Sequence, residues 1–557
     1  MADNGDNGEG RNAIGREVNP VGSRGGSRGG SDGGGSSGGR VNSPAKNRRG
    51  SRTNSRDRKR KDRLQSRIVA PPYIKRQIDT LNVLGEEGLS IIEQQADELL
   101  RDIGMEFHDD ESLLQLFAEA GADVKGTRVR FDPGFCRATI QATAPAQFNQ
   151  QARNPDRSVV IGGSNTVLCP SWGPPFVQDR NRGRRYAEYE DFIRLVKLHH
   201  TIPYLHHSGG VVCEPVDLPA ISRHLDMLYA HIRYSDKPFM GAFIGVERAT
   251  DAIEMAKIVF GDEAMRADPV LYCVSNTNAP LVMDANMSGA LKTYAAAGQP
   301  VACTPWVLAG AMSPCTVAGT LSQVLAEALA TLTLVQLINP GAPCLMGSFA
   351  STMSMQSGAP TFGTPEAAKM VLASGQLARR LGVPLHTVGS LSASKLPDAQ
   401  SQQEGTWSLL MAMFAGANVI NHATGWLEGG LVTGFEKTVI DADLCGKVCS
   451  FFEGIDLSEN ALAFEAIKAT GPGAHFLGSE HTQQNFETAF YDSTSSDANS
   501  FEQWSAEGAT DAAERAAGRV EKLLAEYSEP TLDSAIDEQL QEYIASRKKL
   551  LGDASFY

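Results

Sequence analysis

Two different periods of apolar and polar positions run along this chain. Over 84–103 (LGEEGLSIIEQQADELLRDI) apolar residues recur every three or four positions, which predicts a helix with Leu89, Ile91, Ile92, Leu99 and Leu100 on its buried face. GTRVRFDP (126–133) alternates residue by residue and predicts a short strand, and RSVVIGG and TVLCPSW within 157–172 predict two more. Further on, short apolar runs and helical stretches take turns. The runs are PPFVQD (174–179), IPYLHHSGG (202–210), KPFMGAFI (237–244), PVLYCVSNT (269–277), QPVACTPW (299–306), APCLMGSFA (342–350), VPLHTVGSLS (383–392) and GANVINHATG (416–425). Stretches such as YEDFIRLVKLHH, ATDAIEMAKIVF and TVAGTLSQVLAEALATLTLVQLI separate them. Strands alternating with helices in this number predict an α/β fold, a closed (β/α)8 TIM barrel over 173–450. An α+β preface (67–172) precedes it and a helical extension (451–557) follows. An open doubly wound sheet ranks second, because no Gly-rich phosphate loop of the GxGxxG or GxxxxGK[ST] kind follows an early strand.

A barrel of this kind works at the C-terminal ends of its strands. Here those ends carry His206, His207 and Ser208; Ser275, Asn276 and Thr277; Thr304; Gly347 and Ser348; Gly389 and Ser390; Asn421 and His422. Adjacent residues of one strand face opposite ways, so only one of His206 and His207 looks inward, and a paired metal site there is not expected. The other histidines are scattered, HExxH and CxxC are absent, and no GxSxG elbow follows a strand. Aromatic residues make up only 7% of the chain, yet Tyr204, Phe243, Trp306, Phe349 and Trp426 sit near the predicted strand ends. Aromatic faces hold a quaternary ammonium by cation–π attraction; ordinary core packing is the plainer reading of each. Lys395, Asp398, Gln400 and Glu404 crowd the loop after one strand, and Glu428 occupies a glycine turn after another.

The 557 residues are 42% hydrophobic and 21% charged, a globular composition with no long uncharged apolar run to cross a membrane. The net charge of −14 is unevenly spread: residues 1–67 hold sixteen Lys/Arg against seven Asp/Glu, leaving −23 for the rest. Residues 1–66 are Gly-, Ser- and Arg-rich and predict a disordered tail. NRRGSRTNSRDRKRKDRLQSR (47–67) lacks interleaved aromatics, so any contact with RNA or another polyanion would be weak and salt-sensitive, and a solvated extension is the plainer reading. The start of the chain has no apolar signal core, and nine scattered cysteines read as buried thiols in a reducing compartment. The expectation is a cytoplasmic protein.

Several long runs resemble the trimethylamine methyltransferase family: GGVVCEPVDLPAISRHLDMLYAHIRYSDKPFM, SASKLPDAQ, GANVINHATGWLEGGLVTGFEKTVIDADL and the block from HFLGSEHTQQNFETAFY onward. The resemblance spans roughly residues 80–550. It implies a barrel and transfer of a methyl group from a methylated amine to the Co(I) of a corrinoid on a separate protein, with no cofactor held tightly by this chain. The archaeal trimethylamine enzymes carry pyrrolysine near the segment that reads VGSLSASK (388–395) here, where every residue is standard. That implies the non-pyrrolysine branch, acting on quaternary amines such as glycine betaine. A quaternary substrate already carries its activating charge and needs a pocket that holds and aligns it. On this reading Trp306, Phe349 and Trp426 line the ammonium site and Glu428 supplies the compensating charge. His206 or His207, Asn276, Ser348 and Lys395 are the candidates to orient a substrate carboxylate. Trimethylamine or another betaine is the alternative substrate, and a polyanion-associated protein acting through its Arg/Gly tail is the alternative of another class. The oligomeric state stays open, a homo-oligomer being one choice.

Overall fold

The computed structural model describes residues 71–552, so the basic tail at 1–66 lies outside the described residues. Seven parallel strands appear in chain order: β1 (Asn165–Leu168), β2 (Phe239–Met240), β3 (Leu271–Thr277), β4 (Val301–Ala309), β5 (Cys344–Gly347), β6 (Leu385–Val388) and β7 (Val419–Asn421). From β2 to β7 each pairs with the next, and β7 pairs with β1 through Val419↔Val167 and Ile420↔Leu168. Residues 206–209 bridge β1 and β2. The His206 N–H donates to Leu168 O at 3.0 Å, Ser208 N–H to Pro238 O at 2.8 Å and Met240 N–H to Gly209 O at 2.9 Å.

Eight helices cover the outside of this curled, mixed α/β architecture: α1 (Tyr189–Thr201), α2 (Arg223–Tyr234), α3 (Val246–Phe260), α4 (Ala285–Ala296), α5 (Val317–Ile338), α6 (Pro365–Leu381), α7 (Ala399–Phe414) and α8 (Phe435–Phe452). Strands buried on both faces need apolar residues at successive positions, which explains the continuous runs in the sequence. In β3, Leu271 and Cys273 pack outward against the helices, while Tyr272 and Val274 pack into the interior. α5 is long and apolar enough to cross a membrane, yet it is almost entirely buried within the fold.

PPFVQD does not supply the first parallel strand. Its Phe176–Asp179 pairs with Gly183–Tyr186 and Val432–Gly434, and Trp426–Leu427 completes that separate four-stranded sheet. A strand enclosed on both faces would have to bury Gln178 and Asp179, whereas all four residues of β1 are buried without carrying a charge. The predicted helix also forms, as Glu86–Glu98 followed by a wider turn Leu99–Ile103, with Leu89, Ile92 and Leu100 inward; Ile91 is exposed.

A hairpin of Gln147–Gln150 and Val159–Gly162 stops the interior at the N-terminal ends of the strands. Phe148, Val159 and Ile161 pack against Val167, Ala302, Leu345 and Val419, and Gln150 Nε2 donates to Phe239 O at 3.0 Å. Beyond α8, helices Ala512–Ala525 and Ser534–Leu551 return along the helical layer. Tyr543 Oη donates to Asp251 of α3 at 2.7 Å, and Arg547 bonds the same carboxylate. The intervening segment 455–501 leaves Ile455, Leu457, Phe464, Leu477, Phe486, Phe490 and Phe501 largely in solvent.

Candidate active site

β4 and the segments after β5 and β7 bring a cluster of rings together at the C-terminal edge of the sheet. Trp306 on β4 stands in register with Phe349 on the extension Phe349–Met353, their ring centroids 6.2 Å apart. Phe349 lies 6.1 Å from Trp426 and 5.9 Å from His422, and His422 lies 4.1 Å from Trp426. Phe362 closes the far side of Trp426 at 6.2 Å. Phe349, Phe362 and Trp426 are buried, whereas Trp306 is 38% exposed, so the box opens on the Trp306 side.

The chain holds this box by placing residues in backbone conformations that L side chains seldom adopt. Ser390 after β6, His422 after β7 and Glu428 beyond Trp426 all have left-handed φ, at 49°, 57° and 52°. Such conformations persist only where surrounding contacts fix them, and they gather at functional sites. The fixing contacts are visible. Asp441 of α8 accepts the Gly425 N–H at 2.9 Å, and its other oxygen accepts from Lys437 Nζ at 2.5 Å, both side chains being wholly buried. The Glu428 and Gly429 N–H groups donate to Ser394 O and Ser392 O, tying the β7 loop to the β6 loop.

Below the rings the interior is polar. Thr304 Oγ1 meets His386 Nδ1 at 2.9 Å, Tyr272 Oη donates to Asn421 Oδ1 at 3.3 Å, and the His207 ring sits 5.5 Å from that of Tyr272. Burial pushes the histidines of this region toward the neutral form, His206 to about 3, His386 to about 4, and His207 and His422 well below the ordinary imidazole value. Geometry fixes three tautomers independently. The Nδ1 atoms of His206, His207 and His422 accept from the backbone N–H of Leu168, Gly209 and Trp172 at 3.0, 3.0 and 3.1 Å. A backbone N–H can only donate, so in each neutral ring the proton is on Nε2.

The structure brings some of the predicted site residues together and not others. Trp306, Phe349 and Trp426 share one box. His207 faces the interior, and Asn276 shares the inward face of β3 with Tyr272 and Val274 by strand alternation. His206 bonds back to β1. Ser348 accepts from Ser374 of α6 at 2.9 Å and lines a small cleft between β5, α6 and α7 that Phe362 also borders. Lys395 is exposed and donates to Ala393 O at 3.0 Å. Glu428 receives a two-toothed ion pair from Arg184 at 2.7 and 3.3 Å, and that guanidinium stacks 3.7 Å from the centroid of Phe176. Sequence reasoning placed His422 at a strand end without giving it a role, and it passed over Phe362. The first stood within a predicted strand run, four residues before Trp426; the second lies in a loop with no periodic signal. Among the described residues no group of three or more His, Cys, Asp or Glu side chains gathers as a metal ion would require.

The model of the trimethylamine methyltransferase (MTTB) family matches residues 48–552. The chain belongs to that family. Among its relatives, the glycine betaine methyltransferase of Desulfitobacterium hafniense (strain Y51) is 39% identical over 473 residues, covering 85% of this chain and 98% of the relative. The trimethylamine methyltransferases MttB of D. hafniense (strain DSM 10664 / DCB-2) and of Methanosarcina barkeri are each 28% identical, covering 83% and 84% of this chain and 95% and 96% of theirs. The crystal structure of the M. barkeri monomethylamine methyltransferase (MtmB) aligns with 82% of this family member and 97% of its own chain, at 10% identity and a TM-score of 0.43.

Proposed function

We propose that this chain moves a methyl group from a quaternary amine, with glycine betaine as the type substrate, to the Co(I) of a corrinoid carried by a separate protein. The observation that carries the reading is the aromatic box of Trp306, Phe349 and Trp426. It offers ring faces to a cation, and Glu428, the carboxylate beside Trp426 in the chain, is held by Arg184. Each ring face contributes about 0.5–2 kcal/mol to holding an ammonium, more as water is excluded. The quaternary nitrogen is already a leaving group. Its C–N bond breaks with the electron pair staying on nitrogen, the methyl carbon bonds to the acceptor, and no proton has to move. The corrinoid supplies the nucleophile; this chain binds, orients and dehydrates the amine. Glu428 is the carboxylate of the Trp426 turn, and paired with Arg184 it shapes the field at the rim without presenting a bare anion. His207 and Asn276 line the polar interior below.

The fold fits this role as a closed (β/α)8 barrel in which residues 206–209 act as the second strand, over the same 173–450 span with β1 added. The acceptor then approaches from the C-terminal edge, where Trp306 is open. The working compartment is the cytoplasm. A second copy of the chain is the cover for segment 455–501, where seven large apolar side chains stand 63–88% exposed, a clustering that marks interaction surfaces.

The test uses the purified chain with free Co(I) cobalamin and, in parallel, a corrinoid protein. The donors are glycine betaine, proline betaine, carnitine, choline and trimethylamine. Loss of the Co(I) absorbance together with release of the demethylated amine from a quaternary donor, and not from trimethylamine, is the expected result. Demethylation of trimethylamine alone would move the assignment to the alternative substrate. Silence across the panel with both acceptors would overturn it and favour the tail as the functional part.

A further inference from the structure

A quaternary amine leaves its other end to be recognised. Among the polar groups of the C-terminal edge, Lys395 points to its own loop, Ser348 turns to α6, and Arg184 is paired with Glu428. Two N–H groups stand at the box itself, and one of them is orphaned. The indole N–H of Trp426 is buried with no hydrogen-bond partner among the described residues, on a side chain that is only 6% exposed. His422 must carry its proton on Nε2, because Nδ1 is occupied by the Trp172 N–H at 3.1 Å. The two rings lie 4.1 Å apart.

A buried donor left without an acceptor is costly and is retained where a ligand completes it. His422 also sits in the left-handed region at φ 57°, so its position is held against backbone preference. The locked tautomer has a further consequence. An imidazolium in this box would repel an ammonium, whereas a neutral ring offers an N–H without a competing charge. Burial, which keeps this histidine neutral, acts in the same sense.

Resting on the function proposed above, we infer that His422 Nε2–H and Trp426 Nε1–H bind the carboxylate of a zwitterionic substrate, making the site selective for short betaines over quaternary amines without an anionic group. The aromatic faces take the ammonium and the two donors take the anion.

The experiment is calorimetric titration of the full chain with glycine betaine and with choline, in the absence of any corrinoid. Choline keeps the trimethylammonium and replaces the carboxylate by a hydroxyl. Glycine betaine should bind roughly tenfold to a hundredfold more tightly than choline, the range expected for hydrogen bonds to a charged group. His422→Ala should abolish most of that ratio by weakening glycine betaine and leaving choline within about twofold. His422→Asn, which tolerates the left-handed backbone and keeps an N–H, should restore part of it. Trp426→Phe keeps a ring face and removes only the donor, so it should lower the ratio several-fold, and it carries the test if the His422 variants do not fold. Folded variants that keep the wild-type ratio would overturn the inference, as would equal binding of the two ligands by the wild type. If the ratio behaves as expected but no methyl reaches a corrinoid, the inferred anion site stands and the transfer reaction falls. Methyl transfer without discrimination has the opposite meaning.

Discussion

Removing the carboxylate of Asp441 tests how the box is held. Asp441 and Lys437 are one turn apart on α8, both with side chains at 0% exposure, and Asp441 also accepts the N–H of Gly425, the residue before Trp426. In Asp441→Leu the Lys437 ammonium remains buried without its counter-charge. Breaking one side of a buried pair costs about 3–5 kcal/mol, much more than an exposed pair would. In the double variant Lys437→Met/Asp441→Leu no buried charge is left over, and such replacements are often close to neutral, so most of the loss should return. The Gly425 N–H still lacks its acceptor, an expense of about 1–3 kcal/mol that falls on the turn carrying Trp426. Urea unfolding followed by tryptophan fluorescence reads the first effect, and calorimetric titration with glycine betaine reads the second. The double variant should therefore unfold near the wild-type midpoint and yet bind glycine betaine more weakly. A single variant as stable as the wild type, or a double variant no more stable than the single, would refute this account.

Replacing Phe349 by Leu keeps the burial and removes the ring face, so affinity for glycine betaine should fall by a factor of about 2 to 30, measured by the same titration. The buried neutral histidines make stability depend on pH. Their folded-state values lie below the unfolded one, so between about pH 6.5 and pH 4 the unfolded chain takes up more protons, and urea midpoints should drop as the pH falls through that window. Affinity for glycine betaine should stay flat from about pH 6.5 to 8, where the same rings are neutral in the folded chain. Segment 453–507 carries ten Asp/Glu and one Lys beside its exposed apolar side chains, so self-association should strengthen with added salt as like charges are screened, which sedimentation velocity will show. Ser substitutions at Phe486 and Phe490 should return the chain to the monomer; a wild type that stays monomeric at all salt concentrations would refute the idea.

The architecture was largely legible because strands enclosed on both faces write their burial directly into the sequence, as LYCVSNT and VACTPW do. The misplaced strand had a physical cause. PPFVQD is apolar enough at its start to mimic a buried strand, and only the Gln178–Asp179 end, followed by the Arg-rich turn, marks it as the surface hairpin it is. The strand-end positions of Trp306 and Trp426 were readable because each lies at or just beyond the end of an apolar run. Ser348 and Lys395 could not be placed so easily: one residue of register decides whether Ser348 faces the interior or α6, and a loop lysine has no period at all. The role proposed for His422 was out of reach, since it depends on which backbone N–H occupies Nδ1, a contact made across 250 residues of chain.

Among the described residues the hairpin closes the interior from below and leaves the C-terminal edge, where Trp306 is exposed, as its doorway. Amine, acceptor and demethylated product must share it, so the sequence of events follows from the shape of the room. The amine has to be seated before the acceptor covers the entrance, and the product departs only after the acceptor withdraws. Compulsory-order kinetics follow: the acceptor, in excess, traps product inside and slows turnover, and the demethylated amine competes with the substrate and not with the acceptor.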